Sequence, residues 1–502
     1  MNALLNPWLE LSVLIPLLGA VWVGRERDPE RARDRSLRVS GVALFCATAA
    51  WLLRGALPTA SSLLGWRLFE LDALSAPLLP LTSLLYLLVK VATLRTKIRR
   101  YSFAWALFSQ SIISGALSCR EPWAVIVFLS LGTLPPLLEL SARGKPTRVY
   151  LVHIGAYVAL MIAGWTVVTL EGSDGPHSLW AVLPILLAVW IRSGCVPLHC
   201  WMTDLFEHAT FGTAMLFVAP MTGAYAAVRL LLPIASDEVL RFLGHVALFT
   251  AVYAAGMALV QKEARRFFCY LFLSHSALVY VGLDSATPLG LTGALCVWLS
   301  VTLGLTGFGL TLRAIEARHG RISLSGLHGY YGHTPLLAGC FLLTGLASVG
   351  FPGTVGFLGT ELLIDGVVQA YPYVGVMIVL VSALNGIAVM QAYFTIFAGS
   401  RHVSTVSLRG RMRERVAVLM LAALIFGGAL FPQTSVRSRH QAALELMSRR
   451  GTPVDPSARE HAWWNTPDDK PESVQHSLSR APQRSEPSAL RIRTVRGPST
   501  RG

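Results

Sequence analysis

Leu179-Trp-Ala-Val-Leu-Pro-Ile-Leu-Leu-Ala-Val-Trp-Ile-Arg192-Ser-Gly-Cys-Val-Pro197-Leu-His199-Cys-Trp201-Met-Thr-Asp204-Leu-Phe206 starts as an apolar helix long enough to enter a bilayer and then breaks its own pattern. Pro197 removes a backbone donor and clashes with the preceding turn, so no regular helix runs through it. A second stretch, Gly350-Phe-Pro352-Gly353-Thr-Val-Gly356, interrupts another long apolar run, 333–366. Non-helical backbone survives at membrane depth only where protein buries it or a wet cavity faces it. Paired interruptions in the two halves of a chain point to a transport site.

Outward from these two stretches, apolar runs follow one another from Leu4 to Phe431. The 502 residues are 53% hydrophobic and 14% charged, with a mean hydropathy of +0.53. Soluble domains carry about 25% charged residues, so this surplus of apolar mass needs lipid as its solvent. The expected fold is an all-α polytopic membrane protein with about fourteen spans, at 4–23, 39–57, 72–94, 103–119, 123–141, 149–170, 179–206, 211–233, 238–260, 267–285, 290–315, 333–366, 374–397 and 416–432. Helices rather than barrel strands follow from the length of the runs and the lack of short alternation.

Charge tests the count. Basic connections follow the odd-numbered spans: Arg25 to Arg38, Arg95 to Arg100, Arg143 to Arg148, Lys262 to Arg266, Arg313 to Arg321 and Arg401 to Arg415. Cytoplasmic loops carry such excess, so both termini are expected on the non-cytoplasmic side of a cell (inner) membrane. The alternation holds only if 179–206 and 333–366 each cross once. The net charge of +15 sits in short loops and a tail rather than on one folded face, which argues against a nucleic-acid partner. The N-terminus has no basic region before its first apolar run and no small-residue cleavage site, so Leu4 to Val23 reads as a retained first span.

The seven cysteines lie in or beside apolar runs and read as buried thiols; Cys195 to Cys200 lacks a second cluster to complete four metal ligands. Residues 433–502, rich in Pro, Ser and Arg, are expected to be a largely disordered basic tail. Within it, Arg439 to Arg450 could form a surface helix and Trp463-Trp464 could touch an interface or a partner. No Rossmann fingerprint, iron–sulfur pattern or haem motif is present, so this chain is expected to hold no cofactor.

Arg192 to Asp204 resembles the Lys-x-x-x-x-Pro-x-His-x-Trp-Leu-Pro-Asp signature of antiporter-like proton channels. These are the large membrane subunits of NADH:quinone oxidoreductase (respiratory complex I), multisubunit sodium/proton antiporters and membrane-bound hydrogenases. Lys262-Glu-Ala-Arg265-Arg266-Phe-Phe-Cys-Tyr270 with Leu273-Ser274-His275 is similar to that family's Asp-Ile-Lys-Arg, Ala-Tyr-Ser-Ser and Ser-His words. Gly350 to Phe357 resembles its Gly-Leu-Pro-Gly word, and Leu71-Asp72-Ala-Leu-Ser75 its Asp-Gly-Leu-Ser. The likeness runs in order from about 70 to 430 and is nearest the subunit M, or chain 4, type. It implies fourteen helices with two inverted five-helix repeats, divided here as 1–100, 101–233 (helices 4–8), 234–400 (helices 9–13), 401–432 and the tail. It also implies a proton-translocating role, with other membrane subunits as partners. Quinone, NADH, flavin and iron–sulfur clusters would belong to those subunits.

The family's path uses a Glu on the fifth helix, a Lys on the seventh, a Lys on the eighth and a Lys or Glu on the twelfth. Here the seventh-helix position holds Arg192, which keeps the charge but hardly releases a proton. The fifth-helix position falls at Ser130 or Leu131, with Glu139 two turns further on. The eighth falls at Met221 or Gly223, and the twelfth at Thr360, with Glu361 adjacent. Ionisable residues at membrane depth are functional candidates by default. Those selected are Arg192, His275, Glu361 and Asp365, then Glu139, His153, His245 and Lys90, with Pro197, Pro352 and Gly353 as helix breaks. Bland alternatives stand beside them. His275 could be a hydrogen-bonded core histidine, Arg192 a clamp on freed carbonyls, Glu361 and Asp365 a helix end in interfacial water, and Lys90 and Arg229 snorkelling span ends. The substituted positions also suit a degenerate paralogue that anchors or energises another complex, such as a sodium–proton antiporter, a hydrogenase or an inorganic-carbon uptake system.

Overall fold

The computed structural model describes residues 7–55, 68–94, 98–99, 101–172, 177–284, 287–368, 371–400 and 412–450. The expected readings of Leu4, of most of the 401–415 loop and of Trp463-Trp464 fall outside them. The described chain is helical: α1 (Pro7–Gly24), α2 (Pro29–Leu52), α3 (Ser75–Val91), α4 (Phe103–Ser118), α5 (Pro122–Leu131), α6 (Leu134–Ala142), α7 (Arg148–Glu171), α8 (Leu179–Ser193), α9 (Cys200–His208), α10 (Phe211–Val218), α11 (Thr222–Ala226), a π-helical turn (Ala227–Leu231), α12 (Asp237–Leu259), α13 (Ala264–Asp284), α14 (Pro288–His319), α15 (Pro335–Val349), α16 (Val355–Val368), α17 (Pro372–Phe397), α18 (Met412–Leu430) and α19 (Pro432–Arg449). The protein is a multi-pass membrane protein. Eight of the described segments are long and apolar enough to cross a bilayer, and the pairs α5–α6 and α10 to the π turn each count as one. α3, α4, α8 and α15 are shorter apolar helices.

Side chains sort as lipid demands. Leu18, Phe45, Val152, Leu170, Trp180, Phe249, Val376 and Phe394 point outward, while Ser40, Lys90, Gln110, Arg192, Thr250, Ser274, His275 and Asn385 are buried. A soluble protein places these classes the other way round. Four of the basic connections converge: Arg99, Arg143, Lys145, Arg265, Arg313 and Arg321 line two adjoining cavities of about 330 and 320 Å³, so their loops share one face.

α14 runs through the middle and is buried along almost its whole length against α13, α15, α16, α18 and α19. Its contact with α16 depends on glycine. A Cβ on Gly293 would lie 2.3 Å from the backbone nitrogen of Leu363, and one on Gly366 would lie 2.2 Å from that of Gly290. Helices in lipid associate by such close backbone approach, since no hydrophobic effect drives them together. Gly293→Val is therefore expected to cost roughly 1–3 kcal/mol of overpacking strain, seen as a lowered unfolding midpoint of the detergent-solubilised chain.

The tail begins later than composition suggests. α19 follows α18 after an 84° bend, starts at Pro432, and buries Arg439, whose guanidinium donates to Ala73 O at 2.7 Å and Leu74 O at 3.1 Å. The expected surface helix over Arg439 to Arg450 is thus longer and docked by a buried cation.

Candidate functional site

The first broken span stops at Ser193 and resumes at Cys200. Gly194 takes a left-handed conformation (φ 70°), and the N–H groups of Gly194 and Cys195 turn back to Ile191 O and Trp190 O. Two indoles satisfy further backbone: Trp201 Nε1 donates to Ile191 O at 2.8 Å and Trp190 Nε1 to Val196 O at 3.1 Å. Thr250 Oγ1 on α12 accepts from Val196 N at 3.1 Å. The apex faces outward, with Pro197 and Cys200 exposed, which corrects the expectation that every cysteine is buried. The polar residues before the apex, Arg192 and Ser193, point inward.

Arg192 reaches a third interruption that the apolar run Phe217 to Tyr225 conceals. Helix α10 ends at Val218, Pro220 supplies no N–H, and Met221 adopts φ 51°, so its N–H goes to Val218 O. Phe217 O thereby loses its helical donor and accepts Arg192 Nη2 at 2.8 Å, while Ala219 O accepts Thr302 Oγ1 at 3.2 Å. The guanidinium lies 4.0 Å from the Phe217 ring centroid and 5.5 Å from that of Trp201. Among the described residues no carboxylate pairs with it. Gly223 explains the vacancy on this span: a Cβ there would sit 2.7 Å from Ser193 Oγ and 3.0 Å from the Tyr280 hydroxyl. A lysine has no room at that position. At the fifth span, where Ser130 and Leu131 stand, a kink before Pro135-Pro136 frees Thr133 O, which accepts the Tyr150 hydroxyl at 2.8 Å.

The second broken span separates α15 from α16 at Gly350 to Thr354, with Gly350 at φ 84° and Gly353 at φ 88°. Phe351, Pro352 and Gly353 again face outward. Inside the break, His275, Ser300, Ser348, Thr360, Ser382 and Asn385 line a cavity of about 10 Å³. His275 Nδ1 is 2.8 Å from Leu271 O, and its Nε2 is buried without a partner. Asn385 Nδ2 donates to Ser274 Oγ at 2.8 Å, and its Oδ1 is likewise buried and unpaired. Two orphaned polar atoms beside space for about one water meet the requirements for holding a buried water. α13 carries Tyr280 to the first site and His275 to this one, so a single helix joins both.

The other selected residues scatter. Glu361 and Asp365 lie exposed on the outer face of α16, away from the cavity that the neighbouring Thr360 lines. His245 is exposed and bonds the Tyr373 hydroxyl at 2.5 Å. His153 is half-buried near the start of α7, 2.9 Å from Val149 O. Glu139 lines the 330 Å³ cavity, where it accepts from Thr210 N at 2.6 Å and from the Thr213 hydroxyl, capping α10. Lys90 is completely buried and does not snorkel.

Sequence reasoning missed one constellation. Arg229, on the π-helical turn, donates to both carboxylate oxygens of Asp72 at 2.5 and 2.8 Å, to Ser75 Oγ at 2.8 Å and to the Tyr225 hydroxyl at 3.1 Å. Arg449 of α19 approaches the same carboxylate at 3.4 Å. Asp72 was visible only as part of a family word, and nothing local in sequence ties it to a residue 157 positions later.

An inward-facing arginine at one broken span and unpaired polar atoms beside the other are features that transporters place at their substrate sites. Residues 150–385 match the family described as NADH:quinone oxidoreductase/Mrp antiporter, TM. It is 24% identical over 513 residues to NAD(P)H-quinone oxidoreductase chain 4 of a Synechococcus strain, covering 89% of this chain and 92% of the relative. It is 26% identical over 404 residues to NADH-quinone oxidoreductase subunit 13 of Thermus thermophilus, covering 75% and 84%. In fold it is similar to a chain of respiratory complex I from Thermus thermophilus (TM-score 0.79, 22% identity, 88% of this chain and 100% of that one). A chain of the Mrp complex from Dietzia is also similar (TM-score 0.77, 18% identity, 90% and 99%).

Proposed function

We propose that this chain is a proton-translocating membrane subunit of a complex I-like NADH:quinone oxidoreductase, coupling electron transfer in partner subunits to proton movement. The observation that carries the reading is the His275–Asn385 cavity beside the second break, where unpaired polar atoms face space for a water at the centre of an apolar bundle. Imidazole can both accept and donate a proton near neutral pH, and a water gives it a partner. Arg192 at the first break supplies a fixed positive charge that biases where a mobile proton rests. The wider reading has fourteen crossings in two inverted repeats, an inner-membrane location with both termini on the non-cytoplasmic side, and neighbouring membrane subunits that hold the redox groups. The gathering of basic loops on one face supports it.

The test uses inverted membrane vesicles carrying the intact complex, with NADH-driven acidification followed by a pH-sensitive dye. His275→Phe is expected to lower the acidification rate by about tenfold or more, within the range for losing a positioned acid–base group, at unchanged complex abundance. Full acidification by vesicles that lack this chain would remove the reading. A second reading, an energising partner of a sodium–proton antiporter, is favoured by the non-ionisable Ser130 and Gly223 at two path positions. Acidification that requires sodium would select it.

A further inference from the structure

Only five of the chain's 43 lysines and arginines are lysines. Among the described residues, four of the five completely or nearly completely buried cations are arginines, and each holds a fixed charge on an identified acceptor. Arg33 donates to Val91 O, Arg192 to Phe217 O, Arg229 to Asp72 and Arg439 to Ala73 O. The fifth is Lys90, with 0% exposure.

Its position makes this burial informative. Lys90 is in the last turn of α3, beside the basic face, where a four-carbon stem would normally carry an ammonium out to water. Instead the side chain turns inward: Nζ donates to Ser40 Oγ at 2.5 Å and to Gln110 Oε1 at 2.9 Å, two turns inside α4, and Ser40 Oγ also donates to Gln110 at 2.8 Å. Both partners are neutral. Two guanidiniums bind the α3 backbone next to Lys90: Arg33 of α2 sits on Val91 O, and Arg313 of α14 sits on Val89 O and Thr93 Oγ1. No carboxylate forms an ion pair with Lys90 among the described residues. A buried ammonium held only by neutral partners, without a counter-ion, is far costlier than a buried amine. Arginine at this site would be charged permanently, whereas lysine can lose its proton.

A route outward lies next to it. Tyr86, one turn earlier on α3, has its ring 5.8 Å from Nζ, and its hydroxyl is 2.6 Å from Ser109 Oγ. Ser109 lines the 330 Å³ cavity that Arg99, Glu139 and Arg143 border at the basic face. Phe217, the ring under Arg192, lines the same cavity.

We propose that Lys90 is an exchangeable proton site of this chain, held by Ser40 and Gln110 and joined to the basic-face cavity through Tyr86 and Ser109. The inference rests on the proton-translocating reading. In the step, one N–H bond of the ammonium breaks and its electron pair stays on nitrogen. The proton passes to the Tyr86 hydroxyl as Nζ swings on its flexible stem. Tyr86 passes its own proton to Ser109, and Ser109 passes one to water in the cavity. Each hydroxyl gains one proton and loses one, so the net change is ammonium to amine plus one proton released. Lys90 thereby supplies the exchangeable amine for which Gly223 leaves no room on the eighth span.

Lys90→Arg and Lys90→Met are compared with the unaltered complex in inverted vesicles, each rate divided by the amount of assembled complex. Both are expected to lower NADH-driven acidification at least tenfold, and Tyr86→Phe several-fold. Wild-type rates in Lys90→Arg would overturn the proposal, because a structural cation is replaceable by another cation. A readout independent of the variants is the 15N spectrum of the 15N-lysine-labelled full chain, in which the other four lysines are replaced by arginine. Conversion of the ammonium signal to a neutral amine signal as pH rises is expected. An ammonium signal that persists to alkaline pH would overturn it. Vesicles that acidify fully without this chain would instead sink the proton-translocating reading as a whole.

Discussion

Arg192→Ala should cut NADH-driven acidification by about a factor of ten or more, since a lost charge-assisted hydrogen bond is worth roughly 1.5–3 kcal/mol and each ~1.4 kcal/mol is a decade. Two effects combine. The substitution removes the cation at the first break and leaves Phe217 O, already deprived of its helical donor by Met221, without Arg192 as its partner. Arg192→Lys separates them. Lysine restores a positive charge but not the guanidinium 4.0 Å from the Phe217 ring centroid. Recovery of most of the rate in Arg192→Lys would assign the role to charge alone. A rate as low as that of alanine, with the complex assembled, would assign it to the guanidinium geometry. Unchanged acidification in Arg192→Ala would remove Arg192 from the path.

The second large effect is on stability. Arg229→Ala is expected to cost about 3–5 kcal/mol, because it leaves the Asp72 carboxylate buried and unpaired. Arg449, at 3.4 Å and partly exposed, offers only partial replacement. Thermal unfolding of the detergent-solubilised chain measures the loss. Asp72→Asn combined with Arg229→Gln removes both charges and should recover much of it, as neutral partners can be buried with hydrogen bonds at far lower cost. If the single variant unfolded at the wild-type temperature, the ion pair would carry no structural weight. The pair ties the start of α3 to the π-helical turn after α11, and α19 reaches the same carboxylate through Arg449. Loss of Arg229 should therefore also loosen α19, measurable as faster proteolysis between α18 and α19.

The membrane class, the run of helices and the two interruptions at Pro197 and Pro352 were legible because each is a local property. Length, apolarity and proline act within one or two turns of chain. The break at Pro220 was equally local in origin, yet it was hidden: a proline in an apolar run often only kinks a helix, and the left-handed turn at Met221 depends on the carbonyls finding Arg192 and Thr302. The Pro135-Pro136 kink gained its meaning in the same way, from Tyr150.

Direction was not legible. Glu361 and Asp365 share a helix face in any reading, but the close approach of α14 and α16, Gly293 to Leu363 and Gly366 to Gly290, decides that this face is the outer one and that Thr360 meets the cavity. Lys90 illustrates the same point in reverse, since a lysine in the last turn of a span reads as snorkelling until Ser40 and Gln110, from two other helices, are seen to hold it inside. The sequence by itself determined that the chain crosses lipid as helices and where two of them break, because solvent and backbone hydrogen bonding enforce this residue by residue. Only the tertiary structure decided which charged side chains are buried, which are paired and which face a cavity. Those outcomes depend on the rotation of each helix about its axis, and that rotation is set by contacts between segments as much as 157 residues apart, as for Asp72 and Arg229.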